Sequence, residues 1–187
     1  MADRPPEWDW ARFDNFAHGD LRLRSATDSD FAFVRGCVRD PATLEALGET
    51  AESAEAAFRG VWAEGLDAPD MRHLIAESAP EGHREAAVPI AYLRLLYPYG
   101  EAECLWISFF VVAPGLRRRG YGLRILRLLL AAAKSTHCVA KLGMHTRATN
   151  LAAVRLYGSA GFCCTRREPW KAADGALCER LTFCQLL

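Results

Sequence analysis

The sequence predicts a single α/β domain built on a mixed central sheet flanked by helices, with an N-terminal arm over residues 1–19 and the domain over residues 20–187. Three observations carry this. The run LWISFFVV at 105–112 is apolar apart from Ser108 and stops at Ala113-Pro114-Gly115, as expected of a central strand covered on both faces. Strand-like and helix-like stretches follow one another in the order β, α, α, β, β, β, α, β, α, β, β. A chain of 187 residues is long enough for one substantial core and short for two.

The elements follow from local chemistry. Pro5 and Pro6 discourage helix in the arm. Trp8, Trp10, Phe13 and Phe16 are too many aromatics for a solvated tail, so the arm is expected to pack on the domain or on a second subunit of a homodimer. Leu21-Arg22-Leu23-Arg24 alternates as a first strand. Thr27 or Asp28 caps a helix carrying Phe31, Val34 and Cys37 on one face. Pro41 and Gly48 break up the next stretch, and an acid-rich helix or pair of helices runs from about Glu49 to Glu64. Strands are expected at His73–Ser78 and Val88–Leu96, joined through a turn at Pro80–His83. After the central strand come a Leu- and Ala-rich helix from Tyr121 or Gly122 to Lys134 and a strand at about Ala140–Thr146. A helix at about Leu151–Ala160, capped by Asn150 or Thr149, follows. Closing strands lie near Phe162–Arg167 and Cys178–Leu186, with Asp174-Gly175 between them.

Composition narrows the function classes. The chain is 51% hydrophobic and 25% charged with zero formal net charge, which gives no global reason to expect a nucleic-acid partner. The zero conceals a split: residues 1–100 hold 10 basic and 18 acidic residues, and residues 101–187 hold 13 and 5. The halves suit partners of opposite sign if those charges cluster in space, and otherwise are two solvated faces. Seven cysteines without a CxxC pair read as reduced, structural thiols of a cytoplasmic protein, with no metal site expected. The N-terminus MADRPPEWDW lacks the features of an export signal, and no apolar run approaches the length of about 20 residues that spans a membrane.

The chemistry-bearing segment is Arg117-Arg118-Arg119-Gly120-Tyr121-Gly122, between the central strand and the long helix. Two closely spaced glycines let the backbone turn tightly and approach a ligand. Free N–H groups and the dipole at a helix start favour phosphate oxygens, and guanidinium groups add matching donors. The pattern lacks the GxxxxGK[ST] of a triphosphate loop and the third glycine of the dinucleotide fingerprint.

Strand, Arg/Gln-x-x-Gly-x-Gly/Ala loop and helix together resemble the first signature of the GCN5-related N-acetyltransferases, matched at Arg117, Gly120 and Gly122. A second block, Asn150, Ala153, Leu156-Tyr157 and Gly161-Phe162, resembles the family's Asn-x-x-Ala-x-x-Leu-Tyr-x-x-x-Gly-Phe pattern at the same spacing. The resemblance implies an acyl-CoA N-acyltransferase fold and transfer of acetyl from acetyl-CoA to a primary amine of a small molecule or peptide. It implies that Phe110, Val111 and Val112 offer backbone to the pantetheine arm. Arg117, Arg118, Arg119, Gly120, Tyr121 and Gly122 would hold the pyrophosphate, Asn150 would line the cofactor path, and Tyr157 would protonate the thiolate. An inactive acyl-CoA-binding sensor of the same fold is the alternative.

The proton acceptor is where the sequence departs from the family pattern. Many relatives place a Glu on the central strand where this chain has Ser108, and a serine hydroxyl is no general base by itself. Glu103, near the strand start with Glu101, and His145, closing a later strand, are the candidate bases. Glu45, Glu49, Glu52 and Glu55, spaced as one helical face, are candidates to attract a cationic amine. Trp170, Arg166 and Arg167 near the closing hairpin suit either an acceptor pocket or a dimer contact.

Overall fold

The structure, a computed structural model, describes residues 9–66, 68–79, 86–100, 103–171 and 175–187. Trp8, the turn expected at Pro80–His83, Glu101 and Asp174 lie outside those residues. Strands β1 (Ala17–His18), β2 (Leu21–Ser25), β3 (Met71–Ser78), β4 (Val88–Leu96), β5 (Cys104–Val112), β6 (Lys141–Arg147), β7 (Cys163–Lys171) and β8 (Leu177–Leu186) form one sheet in the order β1-β2-β3-β4-β5-β6-β8-β7. Every neighbouring pair is antiparallel except β5 with β6, so the sheet is mixed, as the sequence predicts.

Among the described residues five α-helices flank it: α1 (Phe31–Val38), α2 (Pro41–Leu47), α3 (Ala51–Gly65), α4 (Tyr121–Lys134) and α5 (Leu151–Ser159). In α4, Ile125, Leu126, Leu129, Ala132 and Ala133 recur at helical spacing and are all buried in the larger core, which also takes Leu93, Leu95, Leu105 and Leu142 from the sheet. Val34 and Cys37 of α1 and Phe58 and Trp62 of α3 pack with Ile75, Tyr92 and Val111 in a second core. In the N-terminal segment Trp10 and Phe13 are buried, and the Trp10 indole donates to the Pro69 carbonyl at 2.9 Å.

Two elements were not foreseen. Pro41 opens α2 rather than breaking it, because at the first turn its missing N–H leaves no bond unmade. The Asp40 side chain caps that helix through the Thr43 N–H at 3.1 Å, and left-handed Gly48 ends it. The segment around Ala17–His18 pairs with β2 instead of remaining irregular.

Two departures from regular pairing create the functional region. β5 and β6 pair only from Cys104 to Ile107 against Lys141 to Met144, and beyond that the strands diverge. Between β4 and β5, Arg94 faces Phe109 and Leu95 faces Ile107, so Ser108 is the extra residue of a β-bulge. Past the bulge, the Ala113 N–H donates to the Ile90 carbonyl at 2.8 Å. Alternation along an antiparallel pair then turns the polar groups of Phe109 and Val111 toward β4 and those of Phe110 and Val112 toward the open side. Among the described residues no helix is long and apolar enough to cross a membrane.

Candidate active site

The divergence of β5 from β6 opens a cleft of about 690 Å³. Its walls are residues 107–112 of β5, the loop leading into α4, the end of β6, one side of α5, and α2, with Trp170 and Arg180 from the closing hairpin. Phe110, Val111, Val112, Arg117, Arg118, Gly120, Gly122, His145, Asn150 and Tyr157 all line it. Arg119 and Tyr121 belong to the same loop and helix start but are not among the wall residues.

The loop is shaped as an anion cradle. Arg118 and Gly120 take positive φ values of 61° and 80°. Gly120 stands at the N-cap of α4 without a side-chain cap. Among the described residues, no acceptor takes the backbone N–H of Arg118 through Leu123; the first bond of the turn is Arg124 N–H to the Gly120 carbonyl at 3.2 Å. Unmade donors at a helix start are what phosphate oxygens require. Gly122 permits a close approach as well, since a Cβ there would lie 3.1 Å from the Leu156 side chain.

Arg117 is committed to the protein. Its Nε donates to the Val112 carbonyl at 3.1 Å, and its terminal nitrogens donate to Asp40 at 2.6 Å and to Thr43 Oγ1 at 2.7 Å. It therefore ties the end of β5 to the first turn of α2, while Arg118 is exposed at the mouth. The Asn150 side chain caps α5, accepting from the Ala153 N–H at 3.2 Å.

Tyr157 is buried, stacked edge-on to Phe183 with ring centroids 5.5 Å apart. Its hydroxyl makes no hydrogen bond among the described residues, and burial raises its pKa to about 12, so the phenol keeps its proton at neutral pH. His145 borders the cleft with its ring 5.6 Å from that of Trp106. Although the side chain keeps contact with solvent, crowding by protein and then the Arg180 charge lower its pKa below the ordinary histidine value, with Glu168 opposing.

The structure does not bring the other expected base to the site. Glu103 is exposed, precedes the first residue of β5, and is five positions from Ser108, roughly 16 Å along an extended strand. Ser108 itself is engaged, accepting from Arg94 Nε at 2.8 Å and donating to the Arg94 carbonyl at 3.1 Å. The four acids do not share a helical face on the cleft. Glu45 belongs to α2, Glu49 lies between helices, and Glu52 and Glu55 belong to α3. Glu55 is held by Arg35, Arg39 and Arg59, and α2 shows the cleft only Ala42, Thr43, Ala46 and Leu47. Arg166 and Arg167 pair with Glu168 and Glu179 on the hairpin.

The charged wall residues that sequence reasoning missed are Arg147, Arg155 and Arg180. A signal existed for Arg147, because alternation along β6 puts it on the same face as His145. None existed for Arg180, which reaches the site only through strand pairing with Arg147.

Solved acetyltransferases share the fold. The spermidine N-acetyltransferase of Vibrio cholerae, solved with CoA and spermine, superposes with a TM-score of 0.71 at 16% identity over 89% of this chain and 95% of that one. An aminoglycoside acetyltransferase solved with coenzyme A gives 0.64 at 20% identity over 89% and 94%. A domain from Methanocaldococcus jannaschii gives 0.67 at 12% identity over 91% and 100%. At such identities the likeness is one of fold. No curated protein shows significant sequence similarity to the chain. The family model for acetyltransferases of the GNAT family matches residues 41–162, from the start of α2 through both signature blocks, and the chain belongs to that family.

Proposed function

We propose that this protein transfers an acetyl group from acetyl-CoA to a primary amine by direct attack on the thioester. The observation that carries the reading is the row of unbonded N–H groups from Arg118 to Leu123, of which Arg118, Gly120, Gly122 and Leu123 border a cleft that has Tyr157 on its wall. The row suits a pyrophosphate, with Arg118 and Arg119 adding charge at the mouth. With the Val112 carbonyl held by Arg117, the polar groups of Phe110 suit the amides of a pantetheine arm, and the Val112 N–H is a fitting donor to the thioester carbonyl as its oxygen gains charge. Asn150 borders the same path.

In the transfer, the amine nitrogen bonds to the carbonyl carbon and the carbon–sulfur bond breaks. The departing thiolate takes a proton from Tyr157, and the new amide loses one. Tyr157 is suited to giving the proton because it borders the cleft and its phenol is protonated at neutral pH. His145 is suited to taking one, directly or through water, because its lowered pKa leaves the imidazole neutral at physiological pH. Among the described residues no carboxylate lines the cleft, so no acid stands in for the Glu that Ser108 replaces. That absence also favours a second reading, an acyl-CoA-binding sensor without turnover.

Calorimetry of the purified protein with acetyl-CoA tests the reading, and thiol release in the presence of pooled amines separates enzyme from sensor. Binding with release is the expected result. No binding near millimolar concentration would overturn both readings.

A further inference from the structure

The acceptor end of the cleft carries more positive charge than the protein neutralises. Away from the α4 loop, the polar and aromatic wall residues include Ser108, His145, Arg147, Trp170 and Arg180. Arg147 donates to the Glu45 carbonyl at 3.4 Å, while its Nε is buried without a partner. Arg180 pairs with Glu168, but Arg166 pairs with that same carboxylate at 2.9 Å, so two guanidinium groups share one anion. Behind Ser108 stands Arg94, largely buried, with no carboxylate in ion-pair range among the described residues. Its burial lowers its pKa, the mark of a cation short of solvation. Where the family's pattern has an acid on the central strand, this chain has a serine that holds an arginine in place.

A cluster of this kind is costly until a counter-ion arrives, and it repels cations. It is unlike what a polyamine or an aminoglycoside requires, since each would bring several like charges to Arg147 and Arg180. The fork of a guanidinium matches a carboxylate in a bidentate fashion, and Trp170 beside it offers an apolar surface to the rest of a small molecule.

We propose that the acceptor is an amino acid, an amine that also bears a carboxylate, and that Arg147 and Arg180 receive the carboxylate while Arg94 adds to the field from behind Ser108. This rests on the transferase reading above. It also reverses the expectation raised by the acidic residues between Glu45 and Glu55, which do not border the cleft.

The test is thiol release by the full chain at saturating acetyl-CoA with the common amino acids, each set beside its decarboxylated amine, and with spermidine and kanamycin. The expected result is that the accepted compounds include amino acids, with kcat/KM at least tenfold above the matched amines. Arg147→Gln and Arg180→Gln should each reduce that preference about tenfold, through KM for the acid, while the acetyl-CoA Kd shows that the fold and cofactor site survive. Faster turnover of spermidine, kanamycin or the matched amines than of every amino acid would overturn the inference, as would turnover of no amino acid. An undiminished preference in both variants would overturn the assignment to these arginines. Calorimetry keeps the two levels apart: failure to bind acetyl-CoA defeats the transferase reading itself, whereas binding with turnover of polyamines alone defeats only the choice of acceptor.

Discussion

Tyr157 occupies an unusual position for a buried phenol, because the aromatic rings around it satisfy its body and nothing in the described protein satisfies its hydroxyl. A group left unbonded at the wall of a cleft is available to a ligand. Tyr157→Phe should therefore lower kcat roughly 10- to 100-fold, the low range for a general acid, and leave the acetyl-CoA Kd unchanged. Steady-state kinetics with calorimetry checks it, and unchanged turnover with chemistry rate-limiting would exclude the acid role. His145 makes a separable prediction. If it takes the amine proton, kcat/KM should rise through an apparent pKa below 6.5 and His145→Ala should lose that limb. If the acceptor must instead shed its own proton in solution, the limb moves toward the range of a free alkylamine and both proteins share it. Ser108→Ala should not alter the pH profile, because the hydroxyl is occupied by Arg94 on both its donor and acceptor sides.

The loop before α4 holds an arrangement that only glycine at position 120 adopts cheaply. Its φ of 80° costs an L-residue about 1–2 kcal/mol, although a Cβ there would meet no neighbouring atom. Gly120→Val should accordingly lower Tm by a few degrees and abolish the rise in Tm that acetyl-CoA gives the wild type; paired melting curves check both effects. How far the sequence discloses such features depends on how local their causes are. The central strand, α4 and the two signature blocks were legible because an apolar run, a helical period and fixed spacings are written in consecutive residues. Helix α2 was not, because proline and glycine mark the ends of helices as readily as they interrupt them, and here Pro41 and Gly48 do the former. The bulge at Ser108 depends on register against β4. The same dependence on neighbours explains why Glu103 read as near the chemistry, and why Arg94 and Arg180 did not.

At the scale of the molecule, the acidic first half and the basic second half are joined by ion pairs as well as by packing. Arg124 with Asp20, and Arg117 with Asp40, cross between them. Beneath the second core lies His73, almost fully buried and bonded to the Tyr92 hydroxyl at 2.6 Å; burial, then the Arg94 charge, lower its pKa to about 4. With an unfolded value near 6.5, the folded chain binds fewer protons at this site between those limits. Stability should be full above about pH 6.5 and fall by about 3 kcal/mol as the pH drops to 4. Melting curves across that interval should show the slope, and His73→Leu should flatten it whatever its effect at neutral pH. The divergence of β5 from β6 has a further consequence, in the time domain. Beyond Ile107 one edge of β5 is sealed by β4 and the other is open, so the amides there should alternate when the protein is transferred to deuterated water: Phe109 and Val111 exchanging slowly, Phe110 and Val112 fast. A pantetheine arm lying along that edge would act as a temporary ninth strand, and the alternation should fade on adding acetyl-CoA and return when it is washed away.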